Sequence, residues 1–154
     1  MSRELRGTAA RLFALAWVVN FGWEMAQAPL YAPMGPFWTA IAKCFRASLG
    51  DAGIVVALWV LGVYIFESPD WFRCADAKLI AGLSLVGGLI SVGLELVALS
   101  GGRWAYGSAM PVIPGLGIGV APVLQMALLP PLILRLAASR VVRAARGGDC
   151  HDLD

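Results

Sequence analysis

Apolar residues fall along this chain in four runs, about Leu12 to Tyr31, Leu49 to Phe66, Leu79 to Leu99 and Ile113 to Ala137, with short polar stretches between them. A helix needs about 20 mostly apolar residues to cross a hydrocarbon core of about 30 Å, and each run is close to that length. The pattern predicts an all-α, polytopic membrane protein. It is a four-helix transmembrane bundle forming a single domain over the whole chain, with a short polar cytoplasmic tail over 138–154. Pro111, Pro114, Pro122, Pro130 and Pro131 interrupt the fourth run. They predict a kinked fourth helix, whose freed carbonyls are tolerated only where protein or water surrounds them. Between the first two runs lies PMGPFWTAIAKCFRASLG, too short and too polar to span. It reads either as a turn or two of interfacial helix resting on Phe37, Trp38, Ile41 and Phe45, or as a structured extracytoplasmic loop.

The polar residues inside the runs are not scattered. In VVNFGWEMAQAPLY, Asn20, Glu24, Gln27 and Tyr31 recur at i, i+4, i+7 and i+11, which places them on one stripe of a helix with about 3.6 residues per turn. Trp23 borders that stripe. A carboxylate in a bilayer costs a few kcal/mol or more, so such residues face the bundle interior or a wet cavity and are functional candidates. The structural alternative is that Asn20 and Gln27 bond neighbouring helices while Glu24 acts as packing glue.

Lysine and arginine counts set the orientation, because cytoplasmic loops hold the positive excess. Arg3, Arg6 and Arg11 precede the first run, Arg73 and Lys78 lie between the second and third, and Arg135, Arg140, Arg143 and Arg146 close the fourth. Lys43, Arg46 and Arg103 fall on the other side. Both termini are therefore expected in the cytoplasm, with the chain in the inner (plasma) membrane. In this frame Glu24, Asp51, Glu95 and Gln125 all fall in or near the outer half of their spans. Gly88 and Ser91 precede Glu95 on its face, and Arg103, Trp104 and Tyr106 sit in the outer loop just after it. The inner halves are almost wholly apolar. The expectation is a pocket open toward the outer leaflet, in which Glu24 and Glu95 meet, rather than a proton or ion path through both leaflets. A proton-coupled transporter working as an oligomer is correspondingly disfavoured.

Composition agrees with the membrane reading and narrows the chemistry. The 154 residues are 59% hydrophobic and 14% charged, with a mean hydropathy of +0.75, against about 45–50% and about 25% in soluble domains. The net charge of +2 comes from arginines sorted by side, with no nucleic-acid-binding motif beside them. The three cysteines are split by the membrane, Cys44 outside and Cys74 and Cys150 inside, so no disulfide framework is expected. One histidine, His151, and no Cys-x-x-Cys or His-x-x-x-His spacing leave no metal or haem site of the usual kind. PGLGIGVAP follows no strand and lacks the lysine and Ser/Thr of a phosphate loop. No cofactor is expected. The arginine-led start and the AQA at 26–28 imitate a cleavable signal, but Asn20 and Glu24 interrupt its core and Pro29 follows the cut, so the segment is expected to stay as a helix.

Trp38, Trp71 and Trp104 suit interfacial belts, and Gly82, Gly87, Gly88 and Gly93 suit close helix packing. Asp70 and Asp76 read as solvated, and the tail GGDCHDLD as short, polar and disordered.

NFGWEMAQAPLY resembles the Asn-x-x-Trp-Glu segment, followed by an aromatic residue and a proline, of the membrane-bound terpene cyclases of fungal meroterpenoid and indole-diterpene pathways. The resemblance implies that Glu24 is an acid protonating an epoxide or olefin of an isoprenoid, with Asn20 and Trp23 beside it. It is confined to this stretch, and those cyclases have more spans than the four expected here. As a whole the chain also resembles small bacterial four-span inner-membrane proteins.

Two classes of function follow. In the first, the protein is an intramembrane enzyme of acid-catalysed cyclase or isomerase type acting on an isoprenoid or membrane lipid. Glu24, Asp51 and Glu95 are its catalytic candidates, since two carboxyls in different environments make an acid and a base. Asn20, Trp23, Gln27, Tyr31, Arg103, Tyr106 and Gln125 are its substrate-binding candidates. In the second, it is a non-catalytic binding, transport or assembly subunit, as a homo-oligomer or with a partner membrane subunit.

Overall fold

The computed structural model describes residues 3–142. Four helices run through it: α1 (Arg3–Gln27), α2 (Phe37–Phe66), α3 (Ala77–Ser100) and α4 (Val120–Val142). Three are long and apolar enough to cross a membrane, namely α2, α3 and the Val120–Ala138 portion of α4. α1 is long enough but less apolar, because it carries Arg3, Arg6 and Arg11 at one end and Asn20, Glu24 and Gln27 at the other.

Local chemistry sets the helix ends, and it moves several boundaries away from the apolar runs. α1 stops at Gln27 and passes into a short 3₁₀ turn, Ala28–Leu30, because the ring of Pro29 clashes with the carbonyl four residues back and offers no N–H. α2 begins at Phe37, directly after Pro36, so the stretch expected to be an interfacial piece or loop is the first turns of one 30-residue helix. At about 1.5 Å per residue that helix is about 45 Å long. No proline interrupts it, and its buried positions Cys44, Ser48, Ala52, Val55 and Trp59 keep helical spacing throughout. α2 ends where Glu67 turns left-handed (φ 52°), a conformation that closes helices. Asp76, expected to be solvated, caps α3 by accepting the Leu79 N–H at 2.8 Å.

The fourth helix starts at Val120 rather than near Ile113. Ahead of it lies a small hairpin, β1 (Val112–Ile113) and β2 (Ile118–Gly119), whose turn needs positive φ at Gly115 (81°) and Gly117 (65°). Pro122 falls in the first turn of α4, where its missing N–H is no loss. The helix continues to Val142, past the expected end at 137, and the remaining tail with Cys150 and His151 lies outside the described residues.

α1 is central. It packs along α2 on one side and α4 on the other, and α4 in turn carries α3. α2 and α3 form no extended contact with each other. The close approach of α3 to α4 depends on Gly87, where a Cβ would fall 1.9 Å from the Met126 carbonyl oxygen; Gly82 and Gly93 face open space instead. At one end of the bundle Leu12 and Ala16 of α1 meet Val55 and Trp59 of α2 and Ile133 and Leu134 of α4. Trp71 and Phe72 of the 3₁₀ turn Trp71–Cys74 complete this core. Trp71 is therefore a core residue and not part of an interfacial belt. Its indole N–H donates to the Trp59 carbonyl at 3.1 Å, and that of Trp59 donates to Pro69 O at 3.1 Å. Trp38, by contrast, is 76% exposed.

Candidate functional site

At the other end of the bundle the helices turn polar side chains inward. Asn20 and Gln27 of α1 are buried while Val18 on the same helix is 61% exposed, so the polar stripe faces protein and the apolar face looks out. The centre of the site is Gln125 of α4. Its Nε2 donates to Asn20 Oδ1 at 3.0 Å and to Asp51 Oδ2 at 2.8 Å, and its Oε1 accepts from Gln27 Nε2 at 2.8 Å. With both donors and the acceptor engaged, the amide can face only one way. Gln27 extends the chain: it also donates to Glu24 Oε1 at 2.9 Å, and its own Oε1 accepts the Trp23 indole N–H at 3.2 Å. Asn20 is anchored by donating to the Ala16 carbonyl at 2.9 Å. One connected network thus joins Glu24 of α1 to Asp51 of α2 through two amides.

Glu95 of α3, 4% exposed, belongs to a second group. Its Oε2 accepts from Trp104 Nε1 at 3.1 Å and from the hydroxyl of Tyr106, whose oxygen in turn accepts the Gly119 N–H at 2.9 Å. The loop after α3 is therefore tied to the end of α3 and to the hairpin. It is tied to α1 as well. Tyr31 and Tyr106 form an isolated antiparallel bridge, with Ala32 N bonded to Ala105 O and Gly107 N to Leu30 O, both at 2.9 Å. Tyr31 thus reaches the site from beyond Pro29, through backbone pairing rather than as the fourth point of a helical stripe.

Both groups open on one cavity of about 1170 Å³ between α2 and α3, with α1 and α4 behind it. Glu24, Asp51, Glu95, Tyr31 and Gln125 line it, and Lys43, Arg46 and Arg103 stand around it. Glu24 and Glu95 share this space without a hydrogen bond between them among the described residues. Burial first, and then the nearby carboxyls of Glu95 and Glu24, push the Tyr31 hydroxyl well above its ordinary range. Burial first, and the hydrogen bond to Glu95 second, push Tyr106 up to about 12. Both phenols therefore stay neutral donors across the physiological range.

Two further contacts support the site. Cys44 sits under Glu24, its thiol 3.7 Å from that residue's carbonyl oxygen, and Ser91 donates to the Pro122 carbonyl at 2.9 Å, stitching α3 to α4 beside the cavity. Cys44 lies two helical turns before Asp51 on one face of α2, a relation that appears once the helix is extended back to Phe37. Lys43 and Arg46 lie on that added portion too. Among the described residues no group of His, Cys, Asp and Glu is disposed to hold a metal ion. No protein-family model, curated protein or solved structure matches the chain.

Proposed function

We propose that this protein is an intramembrane enzyme of acid-catalysed cyclase or isomerase type, acting on an isoprenoid or lipid in the outer half of the inner membrane. In this reading α1 is a fourth span, shielded by α2 and α4 so that its polar stripe never meets lipid. Both termini lie in the cytoplasm, in keeping with Arg3, Arg6, Arg11, Arg73 and Lys78 at the end opposite the cavity. Pro130 and Pro131, inside α4, kink it.

The observation that carries the proposal is the pairing of Glu24 and Asp51. The two carboxyls come from different helices, are each held by one of two linked amides, Gln27 and Gln125, and face one cavity that also has apolar walls. Glu24 protonates a carbon of an olefin or an epoxide oxygen, and a carbocation develops. Asp51 removes a proton elsewhere on the chain, and the released electron pair closes the new double bond. One proton enters and one leaves, so the reaction is an isomerisation and needs no redox partner. Glu95, whose Oε2 receives Tyr106 and Trp104, and the ring of Tyr31 stabilise the positive charge. A placed acid contributes about 10²–10⁴-fold to such a rate.

A non-catalytic binding or assembly role is the second reading. It is favoured by the complete hydrogen-bonding of Gln125, which is what a purely structural polar core requires. Lipid extracts of cells lacking the protein, complemented with wild type or Glu24→Gln at matched levels, separate the two by mass spectrometry. The enzyme reading expects an accumulated species that only wild type consumes. Equal rescue by Glu24→Gln, or no changed species, removes it.

A further inference from the structure

Among the described residues, the three cations around the cavity form no ion pair. Lys43 and Arg46 come from α2, and Arg103 from the loop after α3, so they flank the cavity from both sides. Glu24, Asp51 and Glu95 line the same cavity, yet these carboxyls are bonded by amides, an indole and a phenol instead. The only ion pair among the described residues is Arg73 with Asp70, in the linker at the opposite end of the bundle. Lys43 does bond the Met34 carbonyl at 3.0 Å, which holds its ammonium near the loop but leaves its charge unbalanced. Charge is thus sorted within one space, with cations at the rim and carboxyls on the floor. The side wall is open as well, because α2 and α3 do not pack together. Leu94 and Val97 of α3, which line the cavity, are 47% and 59% exposed.

We infer that the ligand is an amphiphile with a phosphate head. The head sits among Lys43, Arg46 and Arg103, and the apolar chain leaves sideways between α2 and α3. Guanidinium and ammonium groups suit a phosphate's charge and acceptor oxygens. A chain attached to a head among these cations begins in the same cavity that Glu24 and Asp51 line, which brings its first carbons into the space those carboxyls face. This names the substrate class for the proposed enzyme and rests on that reading for the chemistry, though not for the binding.

The test is native mass spectrometry of the full-length protein in detergent, titrated with farnesyl monophosphate, farnesol or inorganic phosphate. Farnesyl monophosphate is expected to bind wild type. Its affinity should fall about tenfold to a hundredfold when Lys43, Arg46 and Arg103 are all changed to Gln, given the usual worth of charged hydrogen bonds. The charge-keeping set Lys43→Arg, Arg46→Lys and Arg103→Lys should restore most of it, and Arg103→Gln alone, in an exposed loop, should give an intermediate loss. The proposal is overturned if the Gln set binds as tightly at unchanged helical content. It is equally overturned if farnesol competes as well as the phosphate, or if inorganic phosphate displaces the probe at comparable concentration. Glu24→Gln keeps the two ideas apart. Binding retained by a variant that also rescues the lipid phenotype removes the enzyme and leaves the site. Cation-independent binding with Glu24-dependent turnover removes the site and leaves the enzyme.

Discussion

Gln125 on α4 donates one Nε2 hydrogen to Asp51 on α2 and the other to Asn20 on α1, at 2.8 and 3.0 Å. Through this amide three helices share one polar centre. Replacing it with Leu leaves Asp51, Asn20 and Gln27 each short of a partner in a buried place, at a cost of about 1–3 kcal/mol for each unsatisfied group. Gln125→Leu is therefore expected to melt well below wild type in detergent, as followed by circular dichroism. A melting temperature within a degree or so of wild type, as substitutions away from such features give, would mean that the network does not hold the helices.

Gly87 sets the spacing of α3 and α4, because a Cβ there would meet the Met126 carbonyl at 1.9 Å. Gly87→Ala should destabilise the protein by about 1–3 kcal/mol, the usual range for forced overpacking. Gly82→Ala, in open space, should be neutral or slightly stabilising. Thermal unfolding of the two variants side by side checks this, and equal behaviour would refute the close approach.

How far the sequence exposed this site depends on the kind of signal each residue leaves. Asn20, Glu24 and Gln27 were legible because a continuous helix repeats every 3.6 residues, and their common face is read by counting. Tyr31 was expected on that same face, but Pro29 ends the helix before it, and its true partner is Tyr106. A single bridge between residues remote in sequence leaves no periodic trace. The early part of α2 was missed because its buried face there is Cys44 and Ser48, small and weakly polar, flanked by Lys43 and Arg46. The hairpin before α4 hid inside an apolar run, although Pro114-Gly115 and Gly117 are turn signals. Glu24 and Glu95 were expected to meet; they face one cavity but belong to separate hydrogen-bonded groups.

The tether between Tyr31 and Tyr106 can be tested covalently. Residues opposite each other in an antiparallel bridge have Cα atoms about 4.5–5.5 Å apart, within the span of a disulfide. With the native cysteines replaced, Tyr31→Cys and Tyr106→Cys should cross-link efficiently under mild oxidation. The cross-link appears as a mobility shift on non-reducing gels, whereas Tyr64→Cys paired with Tyr106→Cys should not form one, Tyr64 being on α2 in the half away from the cavity.

Tyr106 provides a pH signature. Its neutral hydroxyl is favoured by burial and by donation to Glu95, so its pKa rises from 10.0 to about 12. A raised pKa means that the folded state releases this proton later than the unfolded chain does. The stabilisation is therefore complete below the ordinary tyrosine value and is lost as pH climbs through the folded one. Subtracting the tyrosinate absorbance titration of Tyr106→Phe from that of wild type should leave a step centred near 12. A step at the ordinary tyrosine value would show that the hydroxyl is not held by Glu95.

The central claim is that Glu24 delivers a proton to carbon or oxygen of a lipid chain and Asp51 takes one away. Membranes carrying the protein, incubated in D2O with lipid extract from cells lacking it, test this most directly. The account predicts an isomer of a phosphate-bearing lipid; where an olefin carbon takes the proton, the isomer carries solvent deuterium in a position resistant to back-exchange, and where an epoxide oxygen takes it, the isomer carries a new hydroxyl instead. It should form with wild type and fall to the level of empty membranes with Glu24→Gln. No isomer above empty membranes, or equal formation by Glu24→Gln, would contradict the claim and leave the polar centre as a binding or assembly device.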